Sequence, residues 1–176
     1  MPYTFRIADV SDAPGLSRLL KCAMKTYCEG SGISASMLEA MNEDIPTIED
    51  RIKRCTCLCC TEGEDIVGTI TFNTIDTPQR LSFSDKTLDY LSGFSRVGYI
   101  SRFAVREDLR NSGLGIELVN RAVELAVKEN CGAVLLHSSA TNKSMVEFYK
   151  KRGFELIDHE DSRGYDRGLF SNRLGQ

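Results

Sequence analysis

The chain has 176 residues, with 22 basic and 25 acidic side chains and a formal net charge of −3. This length predicts one domain over residues 1–176 with a sizeable core, and the slightly acidic balance argues against a nucleic-acid partner, which would need a basic face. No apolar run approaches the roughly 20 residues of a membrane span, and the first residues lack a signal-peptide pattern, so we expect a cytoplasmic protein with no membrane partner.

Hydrophobic periodicity in the first half predicts a strand, two helices with a short third one, and a β-hairpin. In chain order these are a strand over 3–8, a helix capped by Ser11 and broken near Gly30, a helix over 34–41, a short helix after Pro46, and strands over 55–61 and 66–75. The segment 76–94 follows, with at most one short helix near 86–91. Because it is longer than a typical connection, it is either a surface excursion or a lid over the site.

The second half alternates strands and helices before it closes with a hairpin. The predicted elements are a strand over 97–105, a helix over 113–129, a strand over 133–139, a helix over 143–151, and strands over 154–159 and 165–170. The order is β-α-α-β-β-β-α-β-α-β-β, which places the chain in the α/β class.

Seven cysteines include a cluster formed by Cys55, Cys57, Cys59 and Cys60. Cys57 and Cys60 have the spacing of half a zinc site, but no second Cys or His pair follows at a suitable distance. Alternate cysteines fit one face of a strand, where reduced Cys behaves as a small apolar residue. We therefore predict structural thiols, no metal, and a reducing compartment.

The stretch from Val105 to Val119 carries the strongest functional signal. It places a strand end, Arg110, two glycines and a helix start in that order. Without Cβ atoms at Gly113 and Gly115, backbone N–H groups can converge on an anion at the helix N-terminus. The spacing is neither a Walker loop nor a dinucleotide fingerprint, yet it predicts a phosphate-binding turn.

The spacing Arg110-x-x-Gly113-x-Gly115 resembles the pyrophosphate loop of the GCN5-related N-acetyltransferases, the GNAT superfamily, which bind acetyl-coenzyme A. Further along the chain, Asn142 precedes a helix that carries Phe148-Tyr149 and is closed by Gly153-Phe154. This segment is similar to the second hallmark of the same superfamily. The resemblance implies a mixed, mostly antiparallel sheet flanked by helices, and it implies acetyl-CoA as a co-substrate.

The resemblance also implies which residues hold acetyl-CoA. A bulge is expected in the strand before the loop, with backbone groups along the pantetheine arm. The implied cofactor-binding residues are Phe103, Ala104, Val105, Arg110, Asn111, Ser112, Gly113, Leu114, Gly115, Ile116 and Asn142. Asn142 is also a good N-cap. Arg102 lies either beside the acetyl site or in a core ion pair, and Lys143 and Arg110 are candidates for contact with phosphates.

Direct transfer of an acetyl group to an amine needs a general acid and a general base. Tyr149 matches the family tyrosine that protonates the leaving thiolate, with aromatic packing as the alternative role. His137 occupies the position where a branch that acetylates ribosomal proteins carries a glutamate. An imidazole with a pKa of about 6.5 can accept the amine proton, so we expect a limb of the pH profile between about 6 and 8. A structural His137, with water relaying protons to Glu29, is the alternative.

Residues 27–50 contain six acids and no Lys or Arg. They are Glu29, Glu39, Glu43, Asp44, Glu49 and Asp50. The acids form either a solvated helix face or an acidic wall that recruits a cationic amine.

The expected acceptor is a primary amine of unknown identity, a cationic small molecule or a peptide N-terminus, and the protein is a monomer or a homodimer. Two other functions are open: a non-catalytic acetyl-CoA sensor of GNAT fold, and an acyl-homoserine-lactone synthase. The second is suggested by the stretch Ser101-Arg102-Phe103-Ala104, but such synthases lack the complete Arg-x-x-Gly-x-Gly loop.

Overall fold

A computed structural model of the chain describes residues 3–175. Its helices are α1 Ala13–Ser31, α2 Glu39–Asn42, α3 Ile45–Arg54, α4 Asp85–Leu91, α5 Leu114–Lys128 and α6 Lys143–Lys150. Its strands are β1 Thr4–Ile7, β2 Thr56–Glu62, β3 Asp65–Asp76, β4 Arg96–Val105, β5 Ala133–Ser139, β6 Glu155–Glu160 and β7 Arg167–Arg173.

These seven strands of the described range form one sheet with the order β1-β2-β3-β4-β5-β7-β6. Strand β4 pairs with β5 in parallel, while β1 with β2, β2 with β3, β5 with β7 and β6 with β7 are antiparallel. The predicted fold class, a mixed and mostly antiparallel sheet flanked by helices, is confirmed.

Two of the predicted helices differ in their bounds. Asp9 and Asp12 form a capping box around a 3-10 turn, so α1 begins at Ala13 rather than after Ser11. The helix predicted over 34–41 is wrong, because only a 3-10 turn and the single turn α2 form there. Leu38 is extended between them and interrupts the helical backbone, while the Ser34 and Ser36 hydroxyls lie 2.9 Å apart in the turn before it.

The structure divides into two compact units, one formed by the chain up to Phe72 with Ser101–Ala122, the other by Asn73–Ile100 with the chain from Val123 onward. In the first unit, Cys57 and Cys59 lie in one core cluster with Leu16 and Ile48, as the alternation predicts. Burial raises the pKa of the Cys59 thiol to about 11, which keeps it protonated at neutral pH. No group of side chains able to hold a metal ion occurs within residues 3–175.

In the second unit, the segment 76–94 is fastened to its own neighbours. The Gln79 side-chain amide donates to the carbonyls of Leu91 and Phe94, each at 2.5 Å. Thr87 Oγ1 donates to Asp158 Oδ2 of β6 at 2.8 Å. The side chain of Leu91 is fully buried in the core of this unit. These contacts give the segment a fixed position on β6.

Within the described range, no helix is both long enough and apolar enough to cross a bilayer.

Candidate active site

The loop between β4 and α5 passes through two left-handed residues, Asn111 with φ +63° and Gly113 with φ +94°. A Cβ atom at Gly113 would meet no atom within 4 Å, so open space borders the loop there. Helix α5 begins at Leu114, and the first N–H groups of a helix have no intrahelical acceptor. Gly115 and Ile116 therefore present N–H groups where the helix dipole favours an anion. This backbone has the shape that an anion-binding turn requires.

The backbone of strand β4 is irregular at Arg102, close to the strand end at Val105. Arg102 has φ +52°, a left-handed value that is uncommon for a residue with a side chain. The parallel pairs with β5 run from Gly98 to Ile100, and Arg102 follows them. The side chain of Ala104 is buried against Leu19 and its neighbours on α1. This geometry is compatible with the expectation that side chains of this part of β4 pack in the core while its backbone groups contact the pantetheine arm.

Arg102 itself belongs to an ion-pair cluster. Its Nη2 lies 2.6 Å and its Nε 2.9 Å from Oε1 of buried Glu43, and Arg51 Nη1 lies 2.6 Å from the same oxygen. Glu39 approaches Arg102 at 3.5 Å. Burial alone would raise the pKa of Glu43, but hydrogen bonds from Arg102 and Arg51 hold it below its usual value. Of the two expected roles for Arg102, the structure shows the ion pair.

The acidic segment has local structural partners as well. Asp44 caps α3 by accepting the Thr47 N–H at 2.9 Å, and Asp50 pairs with Arg54 at 3.2 Å. Together with the two glutamates on Arg102, four of the six acids are engaged. Less negative charge is left to attract a cationic amine than the sequence alone indicates.

A groove of about 590 Å³ lies within the first unit, beside the entry to the loop. Arg18 and Cys22 of α1, Ile66 of β3, and Val105 and Arg110 are among its lining residues. Its volume falls in the range of ligand sites. Val105 and Arg110, both expected to contact the cofactor, therefore border one cavity.

His137 is the centre of a polar cluster in the second unit. Its Nδ1 lies 2.6 Å from the Tyr99 hydroxyl, and its Nε2 lies 2.5 Å from Oε2 of Glu160. Arg167 Nη1 is 3.7 Å from that same glutamate oxygen. Phe83 stacks over the imidazole, with ring centroids 6.5 Å apart and an interplanar angle of 27°. The ring is thus hydrogen-bonded at Nδ1, in charge contact with Glu160 at Nε2, and stacked on one face.

The environment of His137 corrects the pH expectation. Burial, and then the positive charge of Arg167, lower its pKa to about 4, although Glu160 opposes this change. The imidazole is therefore neutral throughout pH 6 to 8. A rate limb in that range is not expected from His137, since its own titration lies well below it. A neutral imidazole has one ring nitrogen with a lone pair, which can accept a proton at physiological pH.

Tyr149 lies on α6 and is 5% exposed. Its ring centroid is 5.8 Å from that of Phe154 and 6.1 Å from that of Phe170, so packing accounts for its burial. Asn142 caps α6 by accepting the Met145 N–H at 3.2 Å. The N-cap role expected for Asn142 is confirmed, and Lys143 opens the helix directly after it.

Four residues of the His137 cluster, Tyr99, Glu160, Arg167 and Phe83, were not identified as site residues from the sequence. Tyr99 could have been suspected, because it lies on the strand that parallels β5 and only the register was missing. Glu160 and Phe83 come from a hairpin strand and from the 76–94 segment, and no motif marks either of them. Their role follows only from the fold.

A sequence model of the acetyltransferase (GNAT) family matches residues 18–154. Human N-alpha-acetyltransferase 30 is 31% identical over 118 residues, which cover 67% of this chain and 28% of that protein. The PaiA N-acetyltransferase of Thermoplasma acidophilum, solved with coenzyme A, has a TM-score of 0.77 at 16% identity, covering 99% of this chain and 100% of that one. A chain of the NatC complex bound to Gag peptide and CoA has a TM-score of 0.64 at 13% identity, covering 99% and 100%.

The chain therefore belongs to the acetyltransferase (GNAT) family. It spans about a quarter to two fifths of the length of the N-alpha-acetyltransferase 30 relatives that it matches. The solved structures, all far below 25% identity, show the shared fold.

Proposed function

We propose that the protein is an N-acetyltransferase that moves the acetyl group of acetyl-CoA directly to a primary amine, and that the amine is a peptide N-terminus. The observation that carries the proposal is the left-handed loop that opens α5 in a chain of this family. The peptide acceptor is supported by the similarity to N-alpha-acetyltransferase 30. We propose that residues 1–176 act as one such domain.

The residues before and at the start of α5 fit acetyl-CoA. Open space beside Gly113, the N–H groups of the first helical turn and the charge of Arg110 suit a pyrophosphate. Backbone groups of Phe103 to Val105 suit an extended arm with amides. When bound, acetyl-CoA supplies the activated acetyl thioester, and the residues of this chain position it.

Tyr99 and His137 are the groups proposed to remove the amine proton. The Tyr99 oxygen accepts a proton from the amine while its own hydroxyl proton passes to Nδ1 of His137, 2.6 Å away. Tyr149 remains the proposed acid, because a phenol is protonated at neutral pH and can donate to a departing thiolate. Neither of the two roles requires a cysteine nucleophile.

The 76–94 segment is the proposed acceptor end. Phe83 offers an apolar wall next to His137, which suits a peptide side chain better than a polyamine. A cationic small molecule is the second acceptor class, carried by the acids without an ion-pair role. We also propose a cytoplasmic location for the protein, which is supported by its seven free thiols.

Thiol release from acetyl-CoA, measured with a panel of peptides, polyamines and aminoglycosides, tests the proposal. We expect release with peptides that have a free α-amine, and none with the same peptides blocked at the N-terminus. Release with polyamines alone would assign the cationic acceptor instead. Tight acetyl-CoA binding without release for any amine would identify a sensor module.

A further inference from the structure

We propose that Glu160 is a positioning residue for the reaction: it selects the tautomer of His137 and balances the charge that the imidazole gains when it takes the proton. This role rests on the proposed function, since it concerns the base of the same site. It makes Tyr99, His137 and Glu160 one functional chain drawn from β4, β5 and β6.

The three side chains lie in a row, with the imidazole between the tyrosine and the carboxylate. Tyr99 Oη, His137 Nδ1, His137 Nε2 and Glu160 Oε2 follow one another at 2.6 Å across the first contact and 2.5 Å across the last. Glu160 Oε2 and His137 Nε2 are both buried and neither makes an aligned hydrogen bond, so their 2.5 Å approach is a charge contact. The Glu160 side chain as a whole is 31% exposed. Glu160 thus places one oxygen inside on the imidazole and keeps the rest of the side chain in contact with water.

This contact decides which ring nitrogen carries the proton. An unprotonated Nε2 would set its lone pair 2.5 Å from a carboxylate oxygen, which is repulsive, so the contact favours the neutral ring with its proton on Nε2. Nδ1 then has a lone pair directed at the Tyr99 hydroxyl. Without Glu160 the two neutral forms of the ring would compete, and in one of them Nδ1 could not accept the tyrosine proton.

The proton balance is closed. As the amine nitrogen forms its bond to the acetyl carbon, its proton passes to Tyr99 Oη, and the tyrosine hydroxyl proton passes to Nδ1. His137 is then an imidazolium, with Glu160 as the counter-charge at Nε2. Tyr149 protonates the departing thiolate. The Nδ1 proton then leaves to solvent and solvent reprotonates Tyr149, which restores the neutral Nε2–H form and both tyrosine hydroxyls. The same division of roles operates in the Ser-His-Asp triad.

Four ionisable side chains face the imidazole from the elements around it. Tyr99 comes from β4 and Glu160 from β6, while Arg167 of β7 and Arg163 of the β6–β7 turn add positive charge. Both arginines disfavour the imidazolium, and Glu160 favours it. Glu160 is therefore the acid among these four that offsets the two cations when His137 is charged.

The test compares Glu160→Gln, which keeps the size of the side chain, and Glu160→Ala with the matched control Glu155→Ala at the exposed start of β6. We expect kcat to fall roughly 10²-fold in both Glu160 variants with the KM for acetyl-CoA unchanged. Added formate should restore part of the rate to Glu160→Ala, because the position is partly exposed. Glu155→Ala should match the wild type.

A structural role for Glu160 would reduce the folded fraction and would not respond to formate. Unchanged kcat in Glu160→Gln, or lost activity that formate cannot restore in a folded Glu160→Ala, would overturn the proposal.

A second measurement is independent of turnover. The ¹⁵N spectrum of the wild-type His137 ring should show the Nε2–H tautomer, and Glu160→Ala should shift it toward a mixture. An Nδ1–H tautomer in the wild type would overturn the proposal. If no amine is acetylated and the wild type still shows the Nε2–H form, the proposed function fails while the assignment of Glu160 to the tautomer holds.

Discussion

Glu43 is the residue on which two elements of the first unit depend. It accepts hydrogen bonds from Arg102 of β4 and Arg51 of α3 through one oxygen, and it is 8% exposed. Without the carboxylate, both guanidinium groups lose this acceptor and its negative charge. Glu43→Gln should therefore lower the free energy of unfolding by about 3 kcal/mol, the scale for breaking a buried ion pair.

The contribution of Glu43 to the free energy of unfolding should depend on pH. Because the folded-state pKa of Glu43 is lowered, its contribution is present above the ordinary carboxyl pKa of about 4.3 and disappears as the pH falls through the folded value. Urea unfolding at several pH values should show this loss in the wild type and much less of it in Glu43→Gln. Asp50→Asn is the control, since its ion pair with Arg54 is exposed and worth little. Equal stability of Glu43→Gln and Asp50→Asn would contradict the role given to the cluster.

A variant of Tyr149 can distinguish a packing role from a role as the general acid. Its ring is held by aromatic neighbours, so Tyr149→Phe should fold normally. If the phenol protonates the leaving thiolate, kcat should drop roughly 10²-fold with acetyl-CoA affinity nearly unchanged. Tyr90→Phe is the control, because that hydroxyl bonds Ser171 at 2.8 Å and should affect stability alone. A Tyr149→Phe enzyme with full kcat would reduce Tyr149 to a core residue.

Single residues were predictable where a local rule determines their role. Asn142 caps α6, as its residue type and position predict, and the glycine spacing located the loop before α5. His137 was identified by position, yet its pKa was not, because burial and the charges of Arg167 and Glu160 come from β6 and β7. Long-range neighbours set the ionisation of a buried group, and no local pattern contains them.

At the scale of elements, the loop and the first turn of α5 form the part of the site most open to a direct test. Gly113→Asp sets a side chain and a negative charge where a pyrophosphate is proposed to lie. We expect acetyl-CoA affinity, measured by calorimetry, to fall about 10-fold or more, equal to roughly 1.4 kcal/mol. Gly63→Asp is a matched control, because Gly63 also has a left-handed φ, +62°, and open space around it, but lies in the β2–β3 turn.

Both variants place a side chain at a positive φ, at a cost on the order of 1 kcal/mol, and the φ of +94° at Gly113 lies further from the favoured left-handed value than the +62° at Gly63. A binding loss shared by Gly113→Asp and Gly63→Asp would therefore trace to the fold and would count against the loop as the cofactor site.

Among the elements, those with strong periodicity were predicted well and the short ones were not. The strand over 133–139 has the predicted bounds, α6 ends one residue early, and α5 is one residue shorter at each end. The 34–41 helix failed because an extended Leu38 divides a segment too short to propagate a helix. The position of 76–94 on β6 depends on Gln79 and Asp158, two contacts far apart in sequence.

For the whole molecule, the central claim is that acetyl-CoA binds the folded chain as its co-substrate. A ligand that binds only the folded state at about 100 times its Kd adds roughly 2.7 kcal/mol to the free energy of unfolding. Urea unfolding of the wild type with and without acetyl-CoA measures this directly, with an adenine nucleotide that lacks the pantetheine arm for comparison. We expect a gain of about that size with acetyl-CoA and a smaller one with the nucleotide. An unfolding free energy that saturating acetyl-CoA leaves unchanged would contradict it.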